Sequence, residues 1–251
     1  MHRIEMHDFP KEFAMCWHAA GRHLNDQVDG GIKGWLKSKL APPFLEHLSF
    51  RLGNQLFFIR LIDVDGKFDG PGSLSGLRHI AAECSGHACL MPMRRQSDGR
   101  WVADRDGWGL VDARTNRRVD PPALVTADKI EMTAWELQDF AVQIVREQLQ
   151  RDGYTLMSWQ ANPEVNPSIW FVGDSKGPEW VVVRAARYPA TQARRPDDWE
   201  EIAAGAARTG QIGHFASVAL ASLEQPLSKA GEAGVPLWRG YGMHARYVGL
   251  E

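Results

Sequence analysis

The sequence predicts an α+β fold made of two similar units, each a small mixed sheet flanked by helices. Three observations support this prediction: a strongly patterned helix at residues 133–153, a hairpin of apolar strands after it, and an earlier stretch that repeats the same order of segments. A chain of 251 residues is long enough for two domains that each have a core. We place an N-terminal unit at 1–118, a connector at 119–132 and a C-terminal unit at 133–251.

The C-terminal unit begins with the best-defined helix. Thr133 and Glu136 form a capping-box pattern, apolar residues then recur at helical spacing, and Gly153 ends the run. The segments "YTLMSW", "SIWFVGD" and "EWVVVRAARYP" are rich in β-branched and aromatic residues and predict three strands, the last of them buried. A helix in "DDWEEIAAGAARTG", begun by Asp197 or Asp198, and strands in "HFASVALA" and "GYGMHARYVGL" complete the unit.

The N-terminal unit contains similar segments. Residues 9–40 predict two helices separated by "DGG", and "HLSFRLGNQLFFIRLIDVDG" predicts a tight hairpin through Gly53 and Asn54. A serine-capped helix follows in "SLSGLRHIAAECSG", and "HACLMPM" and "GWGLVDA" predict two further strands.

Three short matches in the same order indicate an internal duplication. "LFFIRLID" aligns with "VVVRAARY", which places Arg60 on Arg184; "IAAECSGHACL" aligns with "IAAGAARTGQIGHFASV"; and "GWGL" aligns with "GYGM". The spacing from Arg60 to Gly86 is 26 positions, and that from Arg184 to Gly213 is 29. Surface loops tolerate such differences. The alternative, in which short strings rich in glycine and alanine match by chance, stays open.

This order of elements resembles the restriction-endonuclease-like, or PD-(D/E)xK, superfamily. The resemblance covers residues 133–251, and 40–113 more weakly. In that superfamily a Pro-Asp opens one hairpin strand and a Glu/Asp-x-Lys lies on the next. The carboxylates bind magnesium, a hard cation, and the lysine orients or activates the attacking water.

The residues at the corresponding positions depart from that motif. In the C-terminal unit these are Pro167-Ser168 and Val182-Val183-Arg184, and in the N-terminal unit they are His47-Leu48 and Phe58-Ile59-Arg60. Valine and phenylalanine cannot ligate a cation, and arginine stays protonated, so it substitutes poorly for a lysine that handles protons. The resemblance therefore implies nuclease-like units that have lost their metal site. The sequence is also similar in character to a family of bacterial proteins, which implies no activity.

Two functions follow from these observations. The preferred one is a non-catalytic binding or scaffold protein without a cofactor, whose partner is another protein and, less readily, nucleic acid. The alternative is a divergent nuclease or phosphodiesterase that binds Mg²⁺ through displaced acids, with Glu136, Asp174, Glu179 and Arg184 as its catalytic residues. An immunity-type inhibitor of a toxin is compatible with the same observations.

Basic and thiol residues give weaker indications. A phosphate-binding stripe would use five arginines: Arg60, Arg184, Arg187, Arg194 and Arg195. A solvated face balanced by nearby acids is the favoured interpretation. A zinc set from Cys16, Cys84, His87 and Cys89 is disfavoured because His87 and Cys89 alternate along a predicted strand, so we expect no metal site and buried cysteines.

Charge and cysteine content limit partners and location. The net charge of -2 at pH 7 provides no overall field that would attract a polyanion. Three cysteines, an odd number, fit a reducing compartment better than a disulfide framework. The first residues lack a secretory-signal pattern, and no apolar run is long enough to span a bilayer. We therefore expect a cytoplasmic protein that does not engage a membrane.

Overall fold

The structure is a computed structural model that describes residues 11–36, 48–69, 73–224 and 233–251. These residues form a mixed α+β fold with five helices and two β-sheets, which confirms the predicted class. Internal contacts divide the chain into two units, Met1–Lys129 and Ile130–Glu251. This division lies inside the segment 119–132 that the sequence indicates as a connector. No helix in the described ranges is long and apolar enough to cross a membrane.

Unit 1 contains one mixed sheet with helices packed on it. Its described elements, in chain order, are α1 (Lys11–Asn25), β1 (Gly34–Leu36), β2 (Ser49–Leu52), β3 (Gln55–Asp63), α2 (Leu74–Glu83), β4 (His87–Arg95), β5 (Trp101–Ala103), β6 (Val111–Asp112) and α3 (Pro121–Leu124). The sheet order is β1-β2-β3-β4-β5, and β6 also pairs with β4. Strands β3 and β4 are parallel because α2 returns the chain to the same end of the sheet, and the other pairs are antiparallel.

Unit 2 contains a second mixed sheet. Its described elements are α4 (Ala134–Arg151), β7 (Thr155–Trp159), β8 (Ile169–Val172), β9 (Pro178–Arg187), α5 (Trp199–Ala206), β10 (Ile212–Ser222) and β11 (Met243–Tyr247). The sheet order is β11-β10-β9-β8-β7. Helix α5 connects the parallel pair β9 and β10, and the other pairs are antiparallel. Each unit thus has a helix, three antiparallel strands, a crossover helix, a parallel strand and an antiparallel strand.

Strand β9 is buried because helices cover both faces of the sheet of unit 2. Side chains alternate between the faces of a strand. Val181 and Val183 point into the core beneath α4, whereas Trp180 and Val182 point into a second core beneath α5. A continuous apolar run is the pattern expected for a strand covered on both sides, and the predicted burial of this strand is confirmed.

The helix predicted at residues 133–153 is confirmed as α4. Thr133 Oγ1 accepts a hydrogen bond from the backbone N–H of Glu136, and the carboxylate of Glu136 accepts one from the backbone N–H of Thr133. This reciprocal pair satisfies N–H groups that have no partner inside the helix. Both predicted hairpins and the helix capped by Ser73 are also present.

Two predictions in unit 1 are wrong. The segment "GIKGWLKSKL" was expected to form a helix, but Gly34–Leu36 pair with β2 as strand β1, and residues 37–40 lie outside the described ranges. A Cβ atom on Gly34 would lie 2.8 Å from the carbonyl oxygen of Arg51, so this close pairing requires glycine. The strand expected in "GWGLVDA" is reduced to Val111–Asp112, and β5 was not predicted.

The register of the sheets places residues of the two units in corresponding positions. His87 lies opposite Phe57 across β3 and β4, and His214 lies opposite Val181 across β9 and β10. Three positions beyond these partners, the strands carry Arg60 and Arg184 respectively. The register therefore gives the same pairing of the two arginines as the sequence alignment.

The third sequence match does not agree with the register. Arg95 lies opposite Trp101 in unit 1, and the corresponding Ser222 lies opposite Met243 in unit 2. The counterpart of β11 is therefore β5, and the predicted alignment of "GWGL" with "GYGM" is wrong. Short glycine-rich strings recur in turns for local backbone reasons, which makes them weak markers of common position.

Two buried serines make matching contacts in the two units. Ser49 and Ser168 directly precede the residues that lie opposite Phe57 and Val181. The hydroxyl of Ser49 accepts a hydrogen bond from the backbone N–H of Ile59 at 3.4 Å, and that of Ser168 accepts one from Val183 at 3.1 Å.

We expect Ser168→Ala to lower the free energy of unfolding of unit 2 by about 1–2 kcal/mol, because a buried N–H loses its partner. Ser49→Ala should have a similar but smaller effect on unit 1, since its hydrogen bond is longer. Guanidinium unfolding of the two variants measures both changes, and Ser97→Ala at an exposed position gives the control. A neutral effect at both buried sites would contradict the prediction.

Candidate functional site

Glu136, one of the predicted catalytic acids, is held by a buried ion pair. Arg239 donates from Nε to both carboxylate oxygens, at 2.9 and 3.0 Å, and from Nη2 to Oε2 at 2.8 Å. The side chain of Glu136 is 3% exposed, and that of Arg239 is 0% exposed. The same carboxylate completes the capping box of α4. Its oxygens are therefore engaged in holding α4 to the segment before β11.

Glu179 accepts hydrogen bonds from two side chains at the start of β9. Ser175 Oγ donates to Oε1 at 2.6 Å, and His214 Nε2 lies 2.9 Å from Oε2. The backbone N–H of Ser175 adds a third hydrogen bond at 3.1 Å. Burial by itself raises the pKa of Glu179, but the hydrogen bonds from Ser175 and His214 outweigh it and hold this pKa below its usual value.

Asp174 lies in the turn between β8 and β9 and contacts Tyr154. The hydroxyl of Tyr154 donates to Asp174 Oδ2 at 3.0 Å, and this hydrogen bond raises the pKa of Tyr154. The ring of Tyr154 stacks on Phe171, with 5.6 Å between centroids. Phe171 in turn lies beside His214, 5.9 Å away. Asp174 and Glu179 thus share one end of the sheet.

Arg184 is half-buried near the other end of β9. Its Nη1 donates to the carbonyl oxygen of Val183 and its Nη2 to Oδ1 of Asn166, both at 2.9 Å. Burial lowers the pKa of Arg184, and the charge of Asp198 offsets this only in part. The guanidinium is therefore a partly desolvated cation bound to two neutral oxygens.

The four predicted catalytic residues lie in separate parts of unit 2. Glu179 and Arg184 are five residues apart on one strand, so they point to opposite faces and lie roughly 16 Å apart along it. Glu136 is in the first turn of α4, roughly 24 Å along the helix axis from the turn that leads into β7. Within the part of the chain that the structure describes, no three acidic, histidine or cysteine side chains are placed to hold a metal ion.

Sequence reasoning did not assign His214 and Ser175 as partners of Glu179, or Arg239 as the partner of Glu136. A signal for His214 was present, because it aligns with His87. In unit 1, His87 Nε2 lies 3.1 Å from Oε1 of Gln55, which occupies the position that corresponds to Glu179. A histidine thus contacts the same strand position in both units, through an amide in unit 1 and a carboxylate in unit 2.

The acidity of Glu179 makes the stability of unit 2 depend on pH. Because its folded-state pKa is depressed, its contribution is present above the unfolded-state pKa and is lost as pH falls through the folded-state value. We expect Glu179→Gln to lower stability at neutral pH by about 1–2 kcal/mol and to flatten the loss below about pH 4.5. Thermal unfolding from pH 7 to 3 tests this, with Glu164→Gln as the exposed control; parallel curves at all pH values would contradict it.

The four predicted phosphate-binding arginines of unit 2 do not share one surface, and the fifth, Arg60, belongs to unit 1. Arg60 pairs with Asp69, and Arg187 pairs with Glu131. Arg187 also lies an odd number of positions from Arg184, so it points to the opposite face of the sheet. Arg194 is exposed, and the guanidinium of Arg195 lies 4.5 Å from the ring centroid of Trp199.

The cysteines of unit 1 are buried, as expected. Burial raises the pKa of Cys16 and of Cys89 to about 12, and the charges of Asp63 and Asp112 add to the respective shifts. Cys84 is also buried, and its thiol is reduced. Thiols with such pKa values are poor nucleophiles at neutral pH.

The fold and these contacts define an α+β protein of two units. In the second unit, Glu179 at one end of β9 and Arg184 near the other end are each hydrogen-bonded to neighbouring residues. Residues 135–251 match the family model described as "Domain of unknown function (DUF8840)". The matched segment starts one residue into α4 and extends through β11, so it corresponds to unit 2. No curated protein and no solved structure matches the chain.

Proposed function

We propose that the protein is a non-catalytic binding module that engages a protein partner in the cytoplasm. The observation that carries this proposal is the structural use of the acids in unit 2. Glu136 is in a buried ion pair with Arg239, and Glu179 is bound by Ser175 and His214. A cation would have to displace these partners before it could bind.

We further propose that the two units arose by duplication of one ancestral unit. The same order of elements supports this, together with matching contacts at corresponding positions in the two sheets. The hydroxyls of Ser49 and Ser168 accept hydrogen bonds from backbone N–H groups of β3 and β9, and His87 and His214 contact Gln55 and Glu179. The arginines hold equivalent register positions on β3 and β9. The reduced state of the three cysteines supports placement in a reducing compartment.

The proposed ancestor is a restriction-endonuclease-like unit. Helix α4, three antiparallel strands, the crossover helix α5 and a parallel strand are consistent with the resemblance read from the sequence. At the motif positions, Ser168 accepts a backbone hydrogen bond, and Val182 is fully buried beneath α5. His47 lies outside the described residues. In this proposal, Ser168 and Val182 at the motif positions now stabilise the fold of unit 2.

A protein partner fits the charges better than nucleic acid does. Two of the five candidate arginines are neutralised by Asp69 and Glu131, and the acidic residues 197, 198, 200 and 201 lie next to Arg194 and Arg195. A phosphate backbone requires several cations on one face, and its binding weakens steeply as salt increases.

The second candidate function is a divergent Mg²⁺-dependent nuclease. The observation that favours it is the position of Asp174 and Glu179 at the same end of the sheet, beside His214. In this alternative, a cation would bind Glu179 in place of the hydrogen bond that Ser175 donates to it, and Arg184 would contact substrate rather than metal.

Two measurements on the full chain distinguish these functions. Labelled DNA and RNA are incubated with the protein and Mg²⁺ or Mn²⁺, and we expect no cleavage. Proteins cross-linked to the chain in cells are identified, purified separately and titrated against it, and we expect saturable binding by at least one of them. Cleavage that requires the cation and is lost in Glu179→Gln would overturn the proposal, as would failure of every purified candidate to bind.

A further inference from the structure

One face of the sheet in unit 2 combines an arginine with large apolar side chains. Trp170 lies opposite Trp180, which points toward α5, so the half-buried Trp170 is on the α5 side as well. Arg184 lies four positions beyond Trp180 and has the same orientation. From strand spacing, Trp170 and Arg184 are roughly 14 Å apart. We call Trp170 and Arg184 the α5-side surface.

These residue types are those enriched at the centres of protein interfaces. Tryptophan and arginine supply large contact areas and dominate measured binding hot spots. The indole of Trp170 packs against the neighbouring core but stays partly open. The surface therefore offers an apolar anchor position and, roughly 14 Å away, a cation.

Among the described residues, the guanidinium of Arg184 is hydrogen-bonded to neutral oxygens and to no carboxylate. Of the described residues, Val183 and Asn166 accept its hydrogen bonds through neutral oxygens. Asp198 acts on it only through its charge and not as a direct ligand. Partial burial removes water from a cation, and a carboxylate that forms two parallel hydrogen bonds compensates for that loss better than neutral oxygens do.

Unit 1 shows the corresponding arginine with a carboxylate. Arg60 holds the same register position on β3 as Arg184 does on β9. It pairs with Asp69, which lies in the segment between β3 and α2. In unit 1 an aspartate of an irregular segment therefore supplies a direct carboxylate contact, which Arg184 does not make with any described residue.

We propose that the α5-side surface binds a segment of a partner protein in which an aspartate or glutamate lies near a large apolar residue. The carboxylate pairs with Arg184, as Asp69 does with Arg60, and the apolar side chain packs on Trp170. This inference deepens the proposed binding function and depends on it. The ligand of this surface is an acidic peptide segment.

The test uses the full chain and random peptides displayed on phage. We expect the selected peptides to be enriched in Asp or Glu near an aromatic or aliphatic residue. A selected peptide, measured by fluorescence anisotropy, should bind Arg184→Gln at least about tenfold more weakly than the unmodified chain. Arg184→Lys should recover only part of the binding, because lysine cannot form the bidentate contact. Arg151→Gln, which removes an exposed charge from α4, is the matched control and should bind normally.

A change in the peptide keeps the test independent of the folding of the variants. Replacing its acidic residue by Asn or Gln should weaken binding to the unmodified chain by a similar factor. Peptides that bind without an acid, or equally well to Arg184→Gln, would overturn this inference and leave the binding function intact. Failure to select any peptide would also overturn it. Tighter binding of labelled RNA than of any peptide, lost in Arg184→Gln, would assign the surface to phosphate instead.

Discussion

Replacing Arg239 by glutamine is expected to lower the free energy of unfolding of unit 2 by about 3–5 kcal/mol. The change leaves the carboxylate of Glu136 buried without its counter-ion, and an uncompensated buried charge is among the most destabilising changes in a protein interior. The capping box of α4 keeps both of its members in this variant. Guanidinium unfolding measures the loss, and hydrogen exchange of the α4 amides assigns it to unit 2.

A double variant separates loss of the charge pair from loss of packing. Adding Glu136→Gln to Arg239→Gln removes the isolated charge, so the double variant should regain a large part of the lost stability. The capping box then loses part of its strength, which limits the recovery to less than the full amount. Additive losses from the two substitutions would contradict a coupled ion pair.

Replacing Trp180 by alanine is expected to cost about 3–5 kcal/mol of unfolding free energy, again in unit 2. The indole is 1% exposed, packs 5.1 Å from the ring of Trp199, and donates from Nε1 to the carbonyl oxygen of Gly210 at 3.1 Å. Truncation leaves a cavity between the sheet and α5 and an acceptor without its donor. Denaturant unfolding followed by the remaining tryptophan fluorescence measures the effect.

Gly213 provides a control for this cavity. A Cβ atom at Gly213 would lie 2.1 Å from Cζ2 of Trp180, so Gly213→Ala alone should destabilise the unit by about 1–3 kcal/mol. In the Trp180→Ala background the space is open, and the same substitution should cost much less. An unchanged cost in that background would show that the indole does not determine the requirement for glycine.

Local sequence patterns predicted most of the helices and strands. These are the elements whose own residues show a capping motif or a clear apolar pattern. Helix α4 has a capping box and a regular apolar face, and β9 is an unbroken apolar run. Strands β1 and β5 have three residues each, too short for any period to show. Their existence depends on pairing with β2 and β4, which local patterns do not encode.

The site was predictable in its residue types but not in its connections. The sequence has valine at position 182 and serine at position 168, where the resemblance to the nuclease superfamily would place carboxylates. It does not show that Glu136 pairs with a residue 103 positions away, or that His214 reaches Glu179 across 35 positions. These contacts come from the parallel crossover and from the return of the chain before β11, which are tertiary features.

We propose that Asp174 and Glu179, which lie at the end of the sheet where β9 starts, serve the fold through their hydrogen bonds and do not bind a catalytic cation. A crystal of the full chain grown with Mn²⁺ tests this through its anomalous difference map. We expect no manganese peak at Asp174 or Glu179, with His214 and Ser175 still bonded to Glu179. A manganese ion coordinated by both carboxylates would contradict it.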